Sequence, residues 1–201
     1  MSFGAVILCG GKNSRMGRDK AELEFEGRTF IDRIAGELSG FDELIISLGS
    51  FENRSEEKYK TVTDIYRGCG PMGGIHAALS ACRSDALFVL PCDMPLFRHE
   101  LADYLCGLFT QDTDVLVPVS SDGHIHTLCG VYSKKAAPVF ERYLQNGNYK
   151  ILEPFKELRM KYISMDSTSF SETLLKNINT PEEYRALCER EDAGLRLGNG
   201  D

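Results

Sequence analysis

The sequence predicts an α/β protein with a mostly parallel central sheet and helices on both faces, a three-layer α/β/α arrangement. Three observations carry this. Short apolar runs alternate with segments of helical periodicity along the chain. One run, Ala86–Leu90, is apolar throughout, as a central strand covered on both faces requires. Glycine and proline punctuate the joins, at Gly10-Gly11, at Pro71 and at Gln145-Asn146-Gly147-Asn148.

The elements follow in order. Ala5–Leu8 reads as the first strand. Thr29–Leu38 reads as a helix, because Phe30, Ile31, Ile34, Ala35 and Leu38 fall on one face. Leu44–Leu48 and the short Lys60–Asp64 are strands, and Gly73–Ala81 is a helix opening just after Pro71. Ala86–Leu90 is followed by a helix over Glu100–Phe109, a strand over Asp114–Val119 and another over Leu128–Tyr132. A helix over Lys135–Leu144 stops at the Gln-Asn-Gly-Asn turn. A short helix over Lys150–Leu158 and a strand over Lys161–Met165 come next. Thr180 is placed to cap a last helix, Glu182–Glu191, with Pro181 in its first turn. The expected organisation is one domain over residues 1–192 and a flexible tail over 193–201, which is rich in Gly.

Composition bounds the function. The chain has 201 residues, 42% hydrophobic and 26% charged, with a formal charge of -7, as for a soluble globular protein of one core. An acidic chain argues against nucleic acid as a partner. The seven cysteines are odd in number and show no C-x-x-C spacing, so they read as small buried hydrophobes in a reducing compartment and not as a zinc site. The N-terminus lacks the basic lead and apolar core of a signal peptide, and no apolar run approaches the ~20 residues of a membrane span. The expected location is the cytoplasm, with no membrane association. His76 and His99 read as helix residues and His124 as a loop residue; none has the spacing of a metal cluster, and no Ser/His/Asp or Cys/His arrangement stands out.

Against that acidic background, Leu8–Ala21, LCGGKNSRMGRDKA, is cationic and glycine-rich. In open α/β sheets ligands bind beyond the C-terminal ends of the strands, which is where this segment begins. Gly10 and Gly11 let backbone N–H groups face a ligand, and Arg15, Arg18 and Lys20 add cations, a combination suited to a polyphosphate. It is not a Walker A loop, since Arg18-Asp19 follows Gly17 and no G-K-[ST] is present; the dinucleotide G-x-G-x-x-G is also absent. A surface turn with solvated Lys and Arg is the competing reading.

Asp93, in LFVLPCDMPLF, stands just past an apolar strand at the same edge. A carboxylate there suits Mg²⁺, a hard ion that takes one or two carboxylates together with phosphate oxygens; a capping role in a plain turn is the alternative. Gly68–Leu79, GCGPMGGIHAAL, opens a helix with four glycines and a proline, by a ligand or simply for close packing.

These residues resemble a known family. LCGGKNSRMGRDKA is similar to the signature L-A-G-G-x-[ST]-x-R-M-G-x-D-K of the MobA-like NTP transferases, the nucleotidyltransferases that include molybdenum cofactor guanylyltransferase. Gly10, Gly11, Arg15, Met16, Gly17, Asp19 and Lys20 fall in register, and Cys9 replaces the usual Ala. GPMGGI resembles the family's G-P-[LM]-x-G-[IL], and NINTPEEY, Asn177–Tyr184, its N-[IV]-N-T-P-[ED]-[DE]. The motifs run from residue 8 to residue 184.

The resemblance implies a Rossmann-like nucleotidyltransferase fold of the GT-A type. It implies catalysis by Arg15, Lys20 and Asp93. It implies nucleotide binding by Leu8, Cys9, Gly10, Gly11, Lys20, Ser47, Asp64, Gly70, Pro71 and Asp93. Ser47 falls where relatives often carry Asn, and Asp64 where an acidic residue lies near the base. Mg²⁺ is the implied cofactor, held by Asp93 and Asn179, with Asn177 second. On the acceptor side, DGHIHTLCGVY aligns His126 with the family histidine, although Thr127 stands where Pro is usual; LQNGNYKIL resembles a segment with two adjacent basic residues after the Gly, where here Asn148 and Tyr149 precede only one, Lys150, and Asn148 and Lys150 are the implied acceptor contacts. The implied reaction transfers GMP from GTP to a molybdopterin-type cofactor, with transient contact to other proteins of molybdenum cofactor biosynthesis. A cytidylyl transfer, another phosphate acceptor, or a nucleotide-binding protein without turnover are the alternatives.

Overall fold

A computed structural model describes residues 1–10, 23–49 and 58–198. Its strands and helices are β1 (Phe3–Leu8), β2 (Glu24–Phe25), β3 (Arg28–Thr29), α1 (Phe30–Glu37), β4 (Leu44–Ser47), β5 (Lys60–Val62), α2 (Pro71–Ala81), β6 (Ala86–Pro91), α3 (His99–Leu108), β7 (Val115–Val119), β8 (Gly130–Ser133), α4 (Ala137–Gln145), β9 (Met160–Ser164) and α5 (Pro181–Gly198). Seven strands form one sheet in the order β5-β4-β1-β6-β8-β7-β9. The pairings β1–β4, β1–β6, β4–β5 and β7–β9 are parallel; β8 runs against both of its neighbours. The mostly parallel sheet expected from sequence is therefore present.

Strand alternation builds the layers, because successive side chains point to opposite faces. Ala5, Ile7, Ile46, Phe88 and Leu90 pack on one face with Ile31 and Ile34 of α1 and Leu101 and Leu105 of α3. Val6, Leu8, Ile45, Leu87 and Val89 pack on the other with Met72, Ile75 and Leu79 of α2 and Phe140 and Leu144 of α4. All residues of β6 are buried, as its unbroken apolar run requires. Seven free cysteines, four of them buried, behave as small apolar residues. Among the described residues no helix is long and apolar enough to cross a membrane.

Local chemistry explains most element ends. Thr29 caps α1 by accepting from Asp32 N. Pro71 is the first residue of α2, two positions earlier than expected, where its missing N–H costs no helix hydrogen bond. At α5, Glu183 N donates to Thr180 Oγ1 at 3.2 Å while Thr180 N donates to Glu183 Oε2 at 3.1 Å, a capping box.

Three departures from the sequence reading have physical causes. The helix expected over Lys150–Leu158 is reduced to a 3-10 turn at Pro154–Lys156, because Pro154 cannot donate within a helix interior. The β2–β3 hairpin was not expected; it turns on Glu26 (φ 52°) and Gly27 (φ 70°), the pair of positive angles that a two-residue hairpin needs. The last helix, α5, runs to Gly198, past the Glu191 at which it was expected to end; Ala, Leu and Arg are good helix formers, and Gly194 and Gly198 only weaken the helix.

Candidate active site

The sheet changes direction of growth at β1. The chain lays β4 and β5 on one side and then crosses to place β6 on the other. Such a switch point leaves a crevice beyond the carboxyl ends of the flanking strands. Leu8 pairs with Ser47 on one side and with Pro91 on the other. Beyond that row, Cys9 N donates to Ser47 O at 2.8 Å and Cys92 N donates to Leu8 O at 3.0 Å. Gly10 and Asp93 each follow within two residues, so the start of the glycine loop and the carboxylate emerge side by side.

Gly10 has a second reason to be glycine. A Cβ on it would stand 2.7 Å from Gly49 Cα, and Gly49 itself has φ +63°. Two backbones thus cross at contact distance. Gly10→Ala is expected to cost on the order of 1–3 kcal/mol by forcing them apart. Gly107→Ala in α3, with nothing within 4 Å of its Cβ, is expected to be neutral or stabilising. Urea melts of both check this; equal shifts would show that the crossing is slack.

Asp64 lies on the other side of the crevice, just past β5. It is buried, its backbone N donates to Gly49 O at 2.8 Å, and its Oδ1 has no hydrogen-bond partner among the described residues. Burial pushes its carboxyl up to about 6. The start of α2 faces it: a Cβ on Gly73 would stand 3.2 Å from Asp64 Oδ2, and one on Gly74 2.7 Å from Ser47 Oγ. Ser47 is accordingly buried beneath α2. Gly70 (φ 64°) and Pro71 open that helix with no side-chain cap; Pro71 carries no N–H, and Gly73 N donates to Gly70 O at 3.0 Å.

The NINTP segment is brought to Asp93 from far along the chain. Ile178 N donates to Asp93 O at 2.8 Å, so the half-buried Asn177 and Asn179 flank the residue that touches the aspartate backbone. Ile178 belongs to a small apolar cluster with Leu23, Phe25, Phe30 and Leu187, against which Leu96 and Tyr184 pack.

The acceptor-side residues lie at the same edge or close to it. His126 sits in the connection from β7 to β8; its N donates to Pro118 O at 3.0 Å and its Nε2 pairs with Ser120 Oγ at 2.6 Å. Burial, then the adjacent His124, holds its pKa below the usual histidine value. Asn148 follows α4 and caps its own loop through Oδ1 to Lys150 N, while the Lys150 side chain is exposed. Between them the neighbouring Cys69 thiol holds the pKa of the exposed Tyr149 above the usual phenol value. The structure therefore gathers Leu8, Cys9, Gly10, Ser47, Asp64, Gly70, Pro71 and Asp93 with Asn179 at one edge of the sheet, and places the Asn148–Lys150 loop near Cys69. Gly11, Arg15 and Lys20 lie outside the described residues.

Sequence reasoning passed over several supports. Tyr66 holds the loop after Asp64 to α4, donating to Glu141 Oε1 at 3.0 Å and accepting from Gln145 Nε2 at 2.9 Å. Gly49 carried no motif. The Thr180-to-Glu183 capping box was legible as T-x-x-E.

Comparison with known proteins agrees with this geometry. The family model of the MobA-like NTP transferase domain matches residues 5–160. A probable molybdenum cofactor guanylyltransferase of Clostridium perfringens (strain 13 / Type A) is 34% identical over 196 residues, 94% of this chain and 97% of that protein. The molybdenum cofactor guanylyltransferase of Vibrio campbellii is 33% identical over 192 residues, 92% of this chain and 95% of that one. The crystal structure of molybdopterin-guanine dinucleotide biosynthesis protein A from Archaeoglobus fulgidus superposes with a TM-score of 0.82 at 25% identity, covering 94% of this chain and 99% of that chain.

Proposed function

Because the chain belongs to the MobA-like NTP transferase family, we propose that it transfers GMP from GTP to the phosphate of a molybdopterin-type cofactor, releasing pyrophosphate. The observation that carries this reading is the meeting of Gly10, Asp93 and the Asn177–Asn179 segment at one strand edge. The acceptor phosphate attacks the α-phosphorus and pyrophosphate leaves, chemistry that needs positioning and charge neutralisation more than covalent help. The backbone of Leu8–Gly11 lines the nucleotide, with N–H donors from Gly10 onward because Cys9 N is already bonded to Ser47 O, and Arg15 and Lys20 neutralise the β- and γ-phosphates as charge builds on the leaving group.

Hard oxygen donors fit Mg²⁺: the Asp93 carboxylate and the side-chain amide of Asn179, with Asn177 the second candidate, would hold it, on a segment that Ile178 N bonds to Asp93 O. When bound, the ion supplies charge neutralisation and orientation of the phosphate oxygens. The uncapped start of α2 and the Asp64 carboxylate receive the base. Guanine offers N1–H and its 2-amino group as adjacent donors, which one buried carboxylate can accept together; cytosine offers a single amino donor on that edge. His126, Asn148 and Lys150 face the acceptor. Its phosphate monoester is largely ionised near neutrality, with a second pKa of about 6, so a protein base is not required.

Pyrophosphate release with Mg²⁺, each of the four NTPs and a molybdenum-loaded pterin acceptor tests the reading. Release with GTP alone is expected. Release with CTP would reassign the base, and no release with any NTP would overturn turnover itself.

A further inference from the structure

We propose that Arg33 is a positioning residue for the metal carboxylate, acting through the backbone of the Asp93 turn. Arg33 stands on α1 and is 9% exposed, an uncommon place for a guanidinium. Its Nε donates to Pro95 O at 2.6 Å, two residues beyond Asp93. Its Nη1 pairs with the Glu26 carboxylate at the tip of the β2–β3 hairpin, and its guanidinium lies 4.9 Å from the centroid of the Phe25 ring in the same hairpin.

That hairpin follows the cationic segment, residues 11–22, directly in sequence. One side chain thus ties the segment after the phosphate-binding motif to the turn that carries the carboxylate. Apolar contacts reinforce the tie: Leu23 and Phe25 of the hairpin region meet Leu96 of the Asp93 turn and Ile178 of the NINTP segment. Tyr184 of α5 adds a bond from its hydroxyl to Glu24 O at 2.7 Å.

An ion pair in which the arginine is buried and Glu26 is exposed is weak evidence for a stabilising role, since desolvation of the guanidinium offsets a solvent-screened attraction. The fork geometry is what the position uses. A guanidinium can donate from Nε to one partner and from Nη1 to another along fixed directions, whereas a lysine ammonium is a point charge on a flexible stem. Partners one step removed from a metal ligand typically change metal affinity 10- to 100-fold when lost.

The inference rests on the metal role proposed for Asp93. The test is Mn²⁺ binding, read as loss of the free-ion EPR signal with GTP present, on wild type, Arg33→Lys, Arg33→Met and, as a control, Ile34→Val on the same helix. Arg33→Lys is expected to weaken Mn²⁺ binding about tenfold, with pyrophosphate release restored at high metal and the KM for GTP then within about twofold of wild type. The lysine variant keeps the charge, so it carries the test if Arg33→Met does not fold. Unchanged Mn²⁺ affinity in a folded Arg33→Lys overturns the proposal, as does an equal shift in Ile34→Val. Failure of wild type to bind Mn²⁺ at all would instead overturn the metal site on which the inference stands.

Discussion

Asp93→Ala is expected to lower pyrophosphate release by about 10³-fold or more while the protein still folds. The two parts of that expectation have different sources. The chemical loss follows from removing the carboxylate proposed to hold the metal at the crevice between β1 and β6. The survival of the fold follows from what the main chain does at this point. The hydrogen bonds that fix the turn, Cys92 N to Leu8 O and Ile178 N to Asp93 O, do not use the side chain. Turnover, Mn²⁺ binding and the thermal melt should therefore separate: the first two collapse and the third moves by a few degrees. Wild-type turnover in the variant would remove Asp93 from the mechanism. Collapse of the melt along with turnover would show that the residue is structural.

Asp64→Asn is expected to make the apo protein more stable at pH 8 and to weaken GTP binding by about 10²-fold. Burial raises the Asp64 carboxyl from an ordinary 3.8 to about 6, so the folded chain keeps this proton over a range in which the unfolded chain has lost it. The stability associated with the group is therefore complete below the unfolded value. It declines as pH rises toward 6, and above 6 the ionised carboxylate burdens the fold by on the order of 2–3 kcal/mol. Asparagine removes that burden but offers one neutral acceptor oxygen and a donor NH2 where the carboxylate offers two charged oxygens to the two guanine donors. Melting temperatures of both proteins at pH 4 and pH 8 check the sign: the advantage of the variant should be present at pH 8 and absent at pH 4. An equal advantage at both would mean that ionisation is not its cause. GTP affinity of the wild type should also fall as pH drops below 6, when Asp64 takes up its proton.

The parts of the fold legible in the sequence are those written in local period and local chemistry. The apolar run of β6, the one-sided face of α1 with its Thr29 cap, and Pro71 at the start of α2 each carry their signal within a few residues. The site was legible to the same degree: Gly10 and Asp93 follow strand ends, and strand ends of a parallel sheet share an edge. What escaped depends on partners far along the chain. Arg33 reads as an interruption in an apolar helix face, and only Pro95, Glu26 and Phe25 show why it is there. Gly49 looks like a turn glycine until Gly10 is laid across it. Tyr149 takes the place of a cation expected from the family pattern, and the group it neighbours, Cys69, lies 80 residues earlier in the chain, just before α2. The hairpin at Glu26-Gly27 lacked the Asn-Gly or Asp-Gly pair that announces such turns.

The apolar cluster around Ile178 sets an order for the appearance of activity during synthesis. Every strand of the sheet has been made once Ser164 is added. Leu23 and Phe25 must still wait for Ile178 and Leu187, and Glu24 is joined to Tyr184 across 160 residues. Contacts of such separation form late, because the intervening loop must close first. A nascent chain on the ribosome can thus hold a nearly complete sheet while its catalytic edge is still unfastened. Competence arrives with the last helix, as a final step separate from assembly of the core.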